Sequence, residues 1–192
     1  EIILAVGKPA IYVGWSLGGL VASQIAISHS SQLLGLVTVA SSPQFVERDN
    51  WPGIKASVLA LFHQQLAQDT TKTISNFLKI QAMGSPHIRQ DIKTIRELVM
   101  QHEQPTQQVL DNSLSLLETS DISEQLPGIH QPFLRLYGKL DGLVPKQVIK
   151  LVDEIVPSSQ CYVFEQASHA PFISHQREFL TILKSWVLKS FP

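Results

Sequence analysis

The chain has 192 residues, of which 44% are hydrophobic, and its formal net charge is -1 at pH 7. This length is typical of one domain with a sizeable core, and a net charge so close to zero argues against a nucleic-acid-binding protein. The single cysteine, Cys161, excludes an internal disulfide bond, and the sequence has no apolar run of the ~18 residues that a membrane span needs. We therefore expect a cytoplasmic protein in which Cys161 packs inside a strand.

The first predicted elements are a strand, a tight turn and a helix. Residues 10 to 14 form a short apolar run, and residues 20 to 26 are small and apolar. Between them, Gly14-Trp15-Ser16-Leu17-Gly18 fits G-x-S-x-G, the pattern of a nucleophile elbow, although an ordinary glycine-rich turn could share it. A strained serine in such an elbow leaves no room for side chains at the flanking positions, which would explain the glycines. We predict Ser16 as a nucleophile and the Leu17 N–H as a donor to an oxyanion.

A helical insertion is predicted in the middle of the chain. After a second predicted strand at residues 34 to 40, residues 43 to 125 lose strand character, and apolar side chains recur at helical spacings. An insertion of this size after a strand is typical of a lid over an active site. We therefore predict a helical cap at residues 43–125, between two parts of a core at residues 1–42 and 126–192.

Basic side chains are concentrated in one part of this predicted cap. Lys72 and Lys79 lie seven positions apart, and Arg89, Lys93 and Arg96 are separated by four and three positions. Each group can therefore line one face of a helix. The two stripes are either solvated helix faces or a docking surface for an acidic partner, and the sequence leaves both interpretations open.

Two later strands, predicted at residues 132–138 and 160–164, are each followed by a side chain suited to catalysis. Asp141 follows the first strand and His169 follows the second. Open α/β sheets keep their sites at the carboxyl ends of the strands. A serine hydroxyl needs a histidine to take its proton and a carboxylate to orient that histidine. The chain order of Ser16, Asp141 and His169 is the order found in α/β-hydrolases.

Other acidic and histidine residues are weaker candidates. Asp153 is predicted as a solvated residue inside a helix, and His175 is predicted to open the last helix. We prefer Asp141 and His169 because each lies just after a strand. The other histidines show no metal-ligand spacing, so we expect neither a metal nor another cofactor. They are His29, His63, His87, His102 and His130.

Several segments together resemble the BioH family of pimeloyl-[acyl-carrier protein] methyl ester esterases. They are residues 14–24, 39–43, 51–55, 133–138 with 140–145, and 169–175. The likeness covers essentially the whole chain. It implies an α/β-hydrolase fold, with a mostly parallel sheet flanked by helices and a helical cap. It also implies a protein that hydrolyses a pimeloyl methyl ester carried by acyl carrier protein, as a step of biotin synthesis. We expect this protein to be a monomer when complete.

The resemblance implies roles for residues by position. Ser16, Asp141 and His169 would form the catalytic triad. Substrate contacts would fall on Ser16, Leu17, Phe77, Leu78, Lys79, Ile80 and Gln81. The carrier-binding positions would be Lys72, Asn76, Arg89 and Lys93, and Asn76 departs from the family pattern because it replaces a basic residue.

Two expectations limit this assignment. The family has its first strands and a His-Gly-Trp run in a segment that would precede Glu1, and the tryptophan of that run completes the oxyanion hole. We therefore expect the sequence as it stands to lack one oxyanion donor and to have low activity. Two other functions also stay open: another cap-bearing hydrolase of small esters, lactones or a carbon–carbon bond, and a non-catalytic binding protein with a hydrolase-like fold.

Overall fold

A computed structural model of the chain describes residues 2–83, 85, 87–103 and 105–192. Within these residues, the centre is a four-stranded sheet in which neighbouring strands are parallel and strand order follows chain order. The strands are β1 (Ala10–Trp15), β2 (Leu33–Val39), β3 (Phe133–Gly138) and β4 (Gln160–Phe164). Because all of them point the same way, the loops that follow them lie along one edge of the sheet.

Helices connect the strands and cover the sheet. In chain order they are α1 (Ile2–Val6), α2 (Leu17–Ser28), α3 (Ala56–Gln68), α4 (Thr70–Ala82), α5 (Ile88–Met100), α6 (Gln107–Thr119), α7 (Gln147–Ile155), α8 (Pro171–Ser174) and α9 (Gln176–Ser190). Short 3-10 helices cover Ser30–Gln32 and Ser123–Gly128. In the part of the chain that the structure describes, no helix has the length and hydrophobicity that crossing a bilayer requires.

Both faces of the sheet are packed against helices, and β3 shows this best because all of its residues are buried. Phe133 and Tyr137 belong to a core cluster with side chains of α2 and α7. Leu134 and Leu136 belong to a second cluster that includes Trp186 of α9. Successive side chains of a strand point to opposite faces, so the nearly continuous apolar run of β3 is that of a strand between two helical layers.

One charged side chain of β3 lies in this core. Arg135 is 1% exposed, and its guanidinium donates hydrogen bonds to Asp153 of α7 and to Ser159. The prediction that Asp153 lies in a helix is confirmed. Its carboxylate is only half exposed, however, because it holds the buried guanidinium of Arg135.

Helices α3 to α6 follow β2 in the chain and form a separate layer, called the cap below. They pack mainly on one another. The carboxylate of Asp69 accepts a hydrogen bond from the Lys72 N–H at the start of α4, and the Thr106 hydroxyl accepts one from the Val109 N–H at the start of α6. Each cap helix has only 13 residues. Such short helices depend on N-caps and on packing to stay formed.

Most of the predicted elements agree with the structure. The strand predictions are confirmed to within one residue at each end, and His175 directly precedes α9, as predicted. The helical prediction is wrong for residues 44–54, which form a loop with isolated bridges, such as the one between Gln44 and Asp121. The predicted cap range also includes Gly84, Pro86 and Gln104, which lie outside the described residues.

The prediction for Cys161 is only half right. The residue does lie in a strand, β4, but it is exposed rather than packed. The reason is that β4 is an outer strand of the described sheet, and its first residues are not covered by helices.

Candidate active site

Ser16 occupies the sharp turn between β1 and α2. Its backbone has φ 54° and ψ -122°, a left-handed conformation that is rare for a residue with a side chain. The Ser16 N–H donates to the Val39 carbonyl at 2.9 Å, and the Ser41 hydroxyl donates to the Ser16 carbonyl at 2.8 Å. These hydrogen bonds keep Ser16 in the strained backbone conformation that the elbow pattern predicts.

The glycines around Ser16 do not all have the same role. A Cβ atom added to Gly14 would lie 2.2 Å from the Gly18 carbonyl oxygen, and one added to Gly19 would lie 2.6 Å from the Ser41 side chain. Close packing therefore requires glycine at these two positions. The prediction is wrong for Gly18, where an added Cβ would meet no other atom within 4 Å. Gly19, which lies outside the G-x-S-x-G pattern, is the second glycine that packing requires.

Asp141 and His169 form a buried pair on the loops after β3 and β4. The imidazole Nδ1 lies 2.8 Å from Asp141 Oδ2, and the two side chains are 0% and 1% exposed for His169 and Asp141. Asp141 Oδ1 accepts further hydrogen bonds from the backbone N–H groups of Leu143 and Val144. A carboxylate held in this way fixes the proton on Nδ1 and leaves Nε2 as a proton acceptor.

The structure brings His169 beside the elbow that carries Ser16. The ring of Trp15, the residue before Ser16, lies 5.7 Å from the imidazole, measured between ring centroids. The Nε2 atom of His169 is buried and has no hydrogen-bond partner among the described residues. Catalytic hydrogen bonds are often long in the absence of substrate. The direct contact between Ser16 and His169 therefore stays a prediction.

The alternative base, His175, lies elsewhere. Its Nδ1 is 2.8 Å from the Ser174 hydroxyl, and its ring contacts Phe164. Asp141 is thus paired with His169. Within the described residues, no group of three or more His, Cys, Asp and Glu side chains is arranged to hold a metal ion.

A cavity of about 280 Å³ opens between the elbow and the cap. Trp15, Ser16 and Leu17 line one side of it, and residues of α3, α4 and α6 line the other. Most of its wall is apolar. Phe62 of α3 and Phe77 of α4 meet edge to face there, with ring centroids 5.7 Å apart. The serine predicted as a nucleophile therefore faces an apolar chamber.

The predicted substrate contacts on α4 divide by helix face. Phe77 and Gln81, four positions apart, line the cavity, but Leu78, Lys79 and Ile80 do not. Leu78 packs into a cluster between the cap and the core, and Lys79 is exposed. A helix presents one residue in three or four to any given surface, so only Phe77 and Gln81 of these five consecutive positions face this cavity.

Other cavity residues were missed as site residues from the sequence, although their helical spacing was a usable signal. They are Phe62 and Leu66 of α3, Thr73 and Ile74 of α4, and Leu110, Ser113, Leu114 and Leu117 of α6. Gln81 is one of the polar residues of this wall. It is 4% exposed, and its Oε1 atom has no hydrogen-bond partner among the described residues.

Leu17 is the first residue of α2 and also lines the cavity. Its backbone N–H therefore has no acceptor within the helix, and it lies at the positive end of the helix dipole. A developing oxyanion beside Ser16 could accept a hydrogen bond from this group.

The basic side chains of the cap are all exposed. Lys72 and Lys79 lie on α4, and the others on α5. Asp91, an acidic residue in this segment, is buried and accepts a hydrogen bond from the Ser85 hydroxyl. Lys79 donates to Asn76 at 3.3 Å, and Lys93 lies 3.9 Å from Glu97. The surface is therefore largely cationic, which is compatible with either interpretation of the stripes.

Comparisons with known proteins agree with this architecture. Residues 3–176 match the family model described as the alpha/beta hydrolase fold. An esterase from Exiguobacterium antarcticum has a TM-score of 0.85 at 23% identity, covering 97% of this chain and 70% of that one. A bromoperoxidase from Bacillus anthracis has a TM-score of 0.85 at 16% identity, with coverages of 97% and 70%. A thermophilic esterase from Thermogutta terrifontis has a TM-score of 0.78 at 19% identity, with coverages of 98% and 68%.

Structural likeness at such identities shows a shared fold, and these proteins include both esterases and a bromoperoxidase. The predicted fold class is confirmed. Because the family model matches most of its length, the chain belongs to the α/β-hydrolase family.

Proposed function

We propose that the protein is a serine ester hydrolase in which Ser16 is the nucleophile, His169 the base and Asp141 the residue that orients the base. One observation carries this proposal: the strained Ser16 lies on an apolar cavity, beside a histidine whose Nδ1 is held by a buried carboxylate. Such a histidine presents its free nitrogen as the acceptor that a serine hydroxyl needs.

The reaction has two halves. His169 Nε2 takes the hydroxyl proton as Ser16 Oγ attacks the ester carbonyl, and the Leu17 N–H donates to the resulting oxyanion. When the ester C–O bond breaks, the imidazolium returns that proton to the alcohol that leaves. Water then gives a proton to Nε2 as it attacks the acyl-enzyme, and the imidazolium passes this proton to Ser16 Oγ as the bond from Oγ to the acyl carbon breaks and the carboxylic acid leaves. Asp141 stabilises the imidazolium in both halves.

The cavity supports an acyl chain as the group recognised. Its volume of about 280 Å³ is near the lower limit of ligand pockets, and its wall is mostly apolar. These features suit a single unbranched chain, with Gln81 available as a hydrogen-bonding group. We propose that the substrate is the methyl ester of a pimeloyl chain carried by acyl carrier protein, in biotin biosynthesis, as the resemblance implies.

The exposed basic residues of the cap support recognition of an acidic carrier. Lys72 on α4 and Arg89 and Lys93 on α5 are exposed, although Lys93 lies 3.9 Å from Glu97. Charges of this kind mainly accelerate association and fix orientation. Asn76 contributes no charge, although Lys79 lies beside it, so we expect weaker docking than four basic positions would give.

The catalytic proposal is tested with Ser16→Ala and p-nitrophenyl butyrate. We expect kcat to fall by at least about 10⁴-fold, because the acyl-enzyme cannot form. Ser115→Ala, a change at an exposed residue of α6, is the matched control and keeps full activity. A fluorophosphonate should label the wild type at Ser16. Retained activity in Ser16→Ala would refute the mechanism, and labelling of the wild type at Ser16 would exclude the non-catalytic binding protein.

The carrier proposal is tested by comparing pimeloyl methyl ester on acyl carrier protein with the free ester over a range of salt. We expect the carrier-linked ester to have the higher kcat/KM at low salt and to lose this advantage at high salt. Lys93→Glu should reduce the advantage. Lys150→Glu is a closely matched control, because Lys93 and Lys150 each lie 3.9 Å from a glutamate four positions later. If the carrier-linked ester has no advantage in kcat/KM at low salt, the carrier proposal is wrong and the alternative, a hydrolase of small esters, is favoured.

A further inference from the structure

We propose that Trp15 is a positioning residue that ties the His169 loop to the Ser16 elbow through a hydrogen bond from its indole to the His169 carbonyl. The inference rests on the proposed function, since it concerns the alignment of the nucleophile and the base. Trp15 itself does not exchange a proton with the substrate.

The bond connects the two halves of the site directly. Trp15 Nε1 donates to the His169 carbonyl oxygen at 2.8 Å, although the two residues are 154 positions apart in the chain. One partner is the residue before the predicted nucleophile, and the other is the predicted base itself. This single side chain therefore joins the two loops directly.

The indole is held in place by two aromatic neighbours. Its ring is tilted against the imidazole of His169, and it meets Phe172 edge to face with centroids 5.1 Å apart. Contacts of this geometry favour one ring orientation. The donor N–H is therefore kept pointing at the carbonyl.

The remaining contacts of His169 do not fix its distance from Ser16. The bond to Asp141 sets the rotation of the ring and the position of the proton, but Asp141 belongs to the loop after β3 and not to the elbow. Nε2 has no partner among the described residues. The separation of Nε2 from Ser16 Oγ is thus set by the backbone, and Trp15 adds a direct side-chain link between the two loops to the links that run through the sheet. An error of about 1 Å in such a separation can cost about 100-fold in rate.

Trp15 also lines the cavity, so a role as part of the substrate-binding wall must be separated from positioning. A wall residue affects KM and the preference for acyl length. A positioning residue lowers kcat for every ester, including one too short to fill the cavity.

The test replaces Trp15 with β-(3-benzothienyl)alanine, which keeps the shape of the indole and removes the N–H donor. The substrate is p-nitrophenyl acetate, and titration with a fluorophosphonate gives kcat per active site. We expect kcat to fall about 10-fold while KM stays within twofold of the wild-type value. The matched control is the same replacement at Trp51, whose indole donates to the Gln44 carbonyl at 2.9 Å in the loop before the cap. We expect the control to keep wild-type kcat.

Three results would overturn the inference: an unchanged kcat per site, an equal loss in the Trp51 variant, or a rise in KM with kcat unchanged. A readout without turnover is hydrogen exchange of the Trp15 indole proton by NMR, with the signal assigned from Trp15→Phe. Slow exchange in the wild type, together with an altered NMR chemical shift of the His169 imidazole in the benzothienylalanine variant, supports the hydrogen bond. Fast exchange overturns the inference whatever the activity. If the wild type neither hydrolyses ester nor reacts with the phosphonate, the proposed function has failed, and the exchange measurement still judges the link.

Discussion

The sheet and the cap differ in how firmly their residues are held. Every residue of β3 is buried, and the Asp141–His169 pair beyond it is almost completely enclosed. In the cap, α4 has four buried residues, α3 and α5 have two each, and α6 has none. The groups that would carry out chemistry therefore lie on the rigid layer, while much of the cavity wall belongs to a layer with little core of its own.

Because of this difference, we expect the two layers to open at different free energies. Segments with few buried contacts unfold or shift locally more easily than a packed core. The cap meets the core through a small cluster in which Leu78, Ala82 and Ile95 pack with Ala170, the residue after His169. We expect the cap to move for substrate entry without disturbing the pair of Asp141 and His169.

The largest effect on catalysis in this comparison is expected from a change in the Asp141–His169 pair, which lies on the rigid layer. Asp141→Asn keeps the size of the side chain but no longer fixes the proton on His169 Nδ1, so kcat should fall by about 10³- to 10⁴-fold. Steady-state hydrolysis of p-nitrophenyl acetate measures it. Asp153→Asn is the control, because its carboxylate serves Arg135 rather than a histidine. A similar loss of kcat in the control would show that the effect is structural.

Core packing gives the next effect. Phe164 of β4 is 0% exposed between the sheet and α9, so Phe164→Ala should lower the free energy of unfolding by about 3–5 kcal/mol. Urea denaturation measures the change. Leu188→Ala, at a 63% exposed position of α9, should change it by less than about 0.5 kcal/mol. A small loss for Phe164→Ala would mean that the sheet is no more tightly packed than the cap.

High pH should weaken the core through Tyr137. Burial raises the pKa of Tyr137 to about 12, above its ordinary value of 10.0. The folded state therefore keeps the phenolic proton where the unfolded state loses it. This contribution to stability is complete below about pH 10 and is lost as the pH rises to about 12, with a total of about 2–3 kcal/mol. Tyr137→Phe should flatten the pH dependence of unfolding in this window, and an unchanged slope would contradict the assignment.

The cap should govern substrate choice more than chemistry. Phe77→Ala removes part of the cavity wall, so kcat/KM for p-nitrophenyl hexanoate should fall about 10-fold, with little change for the acetate. Ile80→Ala is the control, since Ile80 lies on the same helix but does not line the cavity. Equal effects of the two changes would show that the helix as a whole, and not the Phe77 ring, matters.

The sequence alone could predict the elements of the rigid layer better than those of the cap. The strands were predictable because each is a short apolar run, and Ser16, Asp141 and His169 stood out because catalytic side chains follow strands in this type of sheet. The face of α4 that lines the cavity was not predictable. Among residues 77–81 it is Phe77 and Gln81 that line the cavity, and this choice depends on how the cap docks.

Other misses have the same origin in contacts between distant segments. In the sequence, Arg135 is a charged residue within an otherwise apolar strand. Its partner Asp153 comes close only in the folded chain, where it accepts a hydrogen bond from the guanidinium. Gly18 looks required by the motif, yet the space around it is open, whereas Gly19 is confined by Ser41. Local pattern therefore gave the elements and the order of the catalytic candidates, and tertiary packing decided the remaining partners.

The smallest effect concerns the junction of the two layers. The Ser168 hydroxyl donates to the Met83 carbonyl at 2.5 Å, which joins the residue before His169 to the end of α4. Ser168→Ala should cost about 0.5–1.5 kcal/mol, mostly as easier opening of the cap, because the lost bond lies at its attachment. Amide hydrogen exchange should accelerate in α4 and α5 while β3 keeps its protection. Faster exchange throughout β3 as well would mean that the cap and the sheet open as one unit.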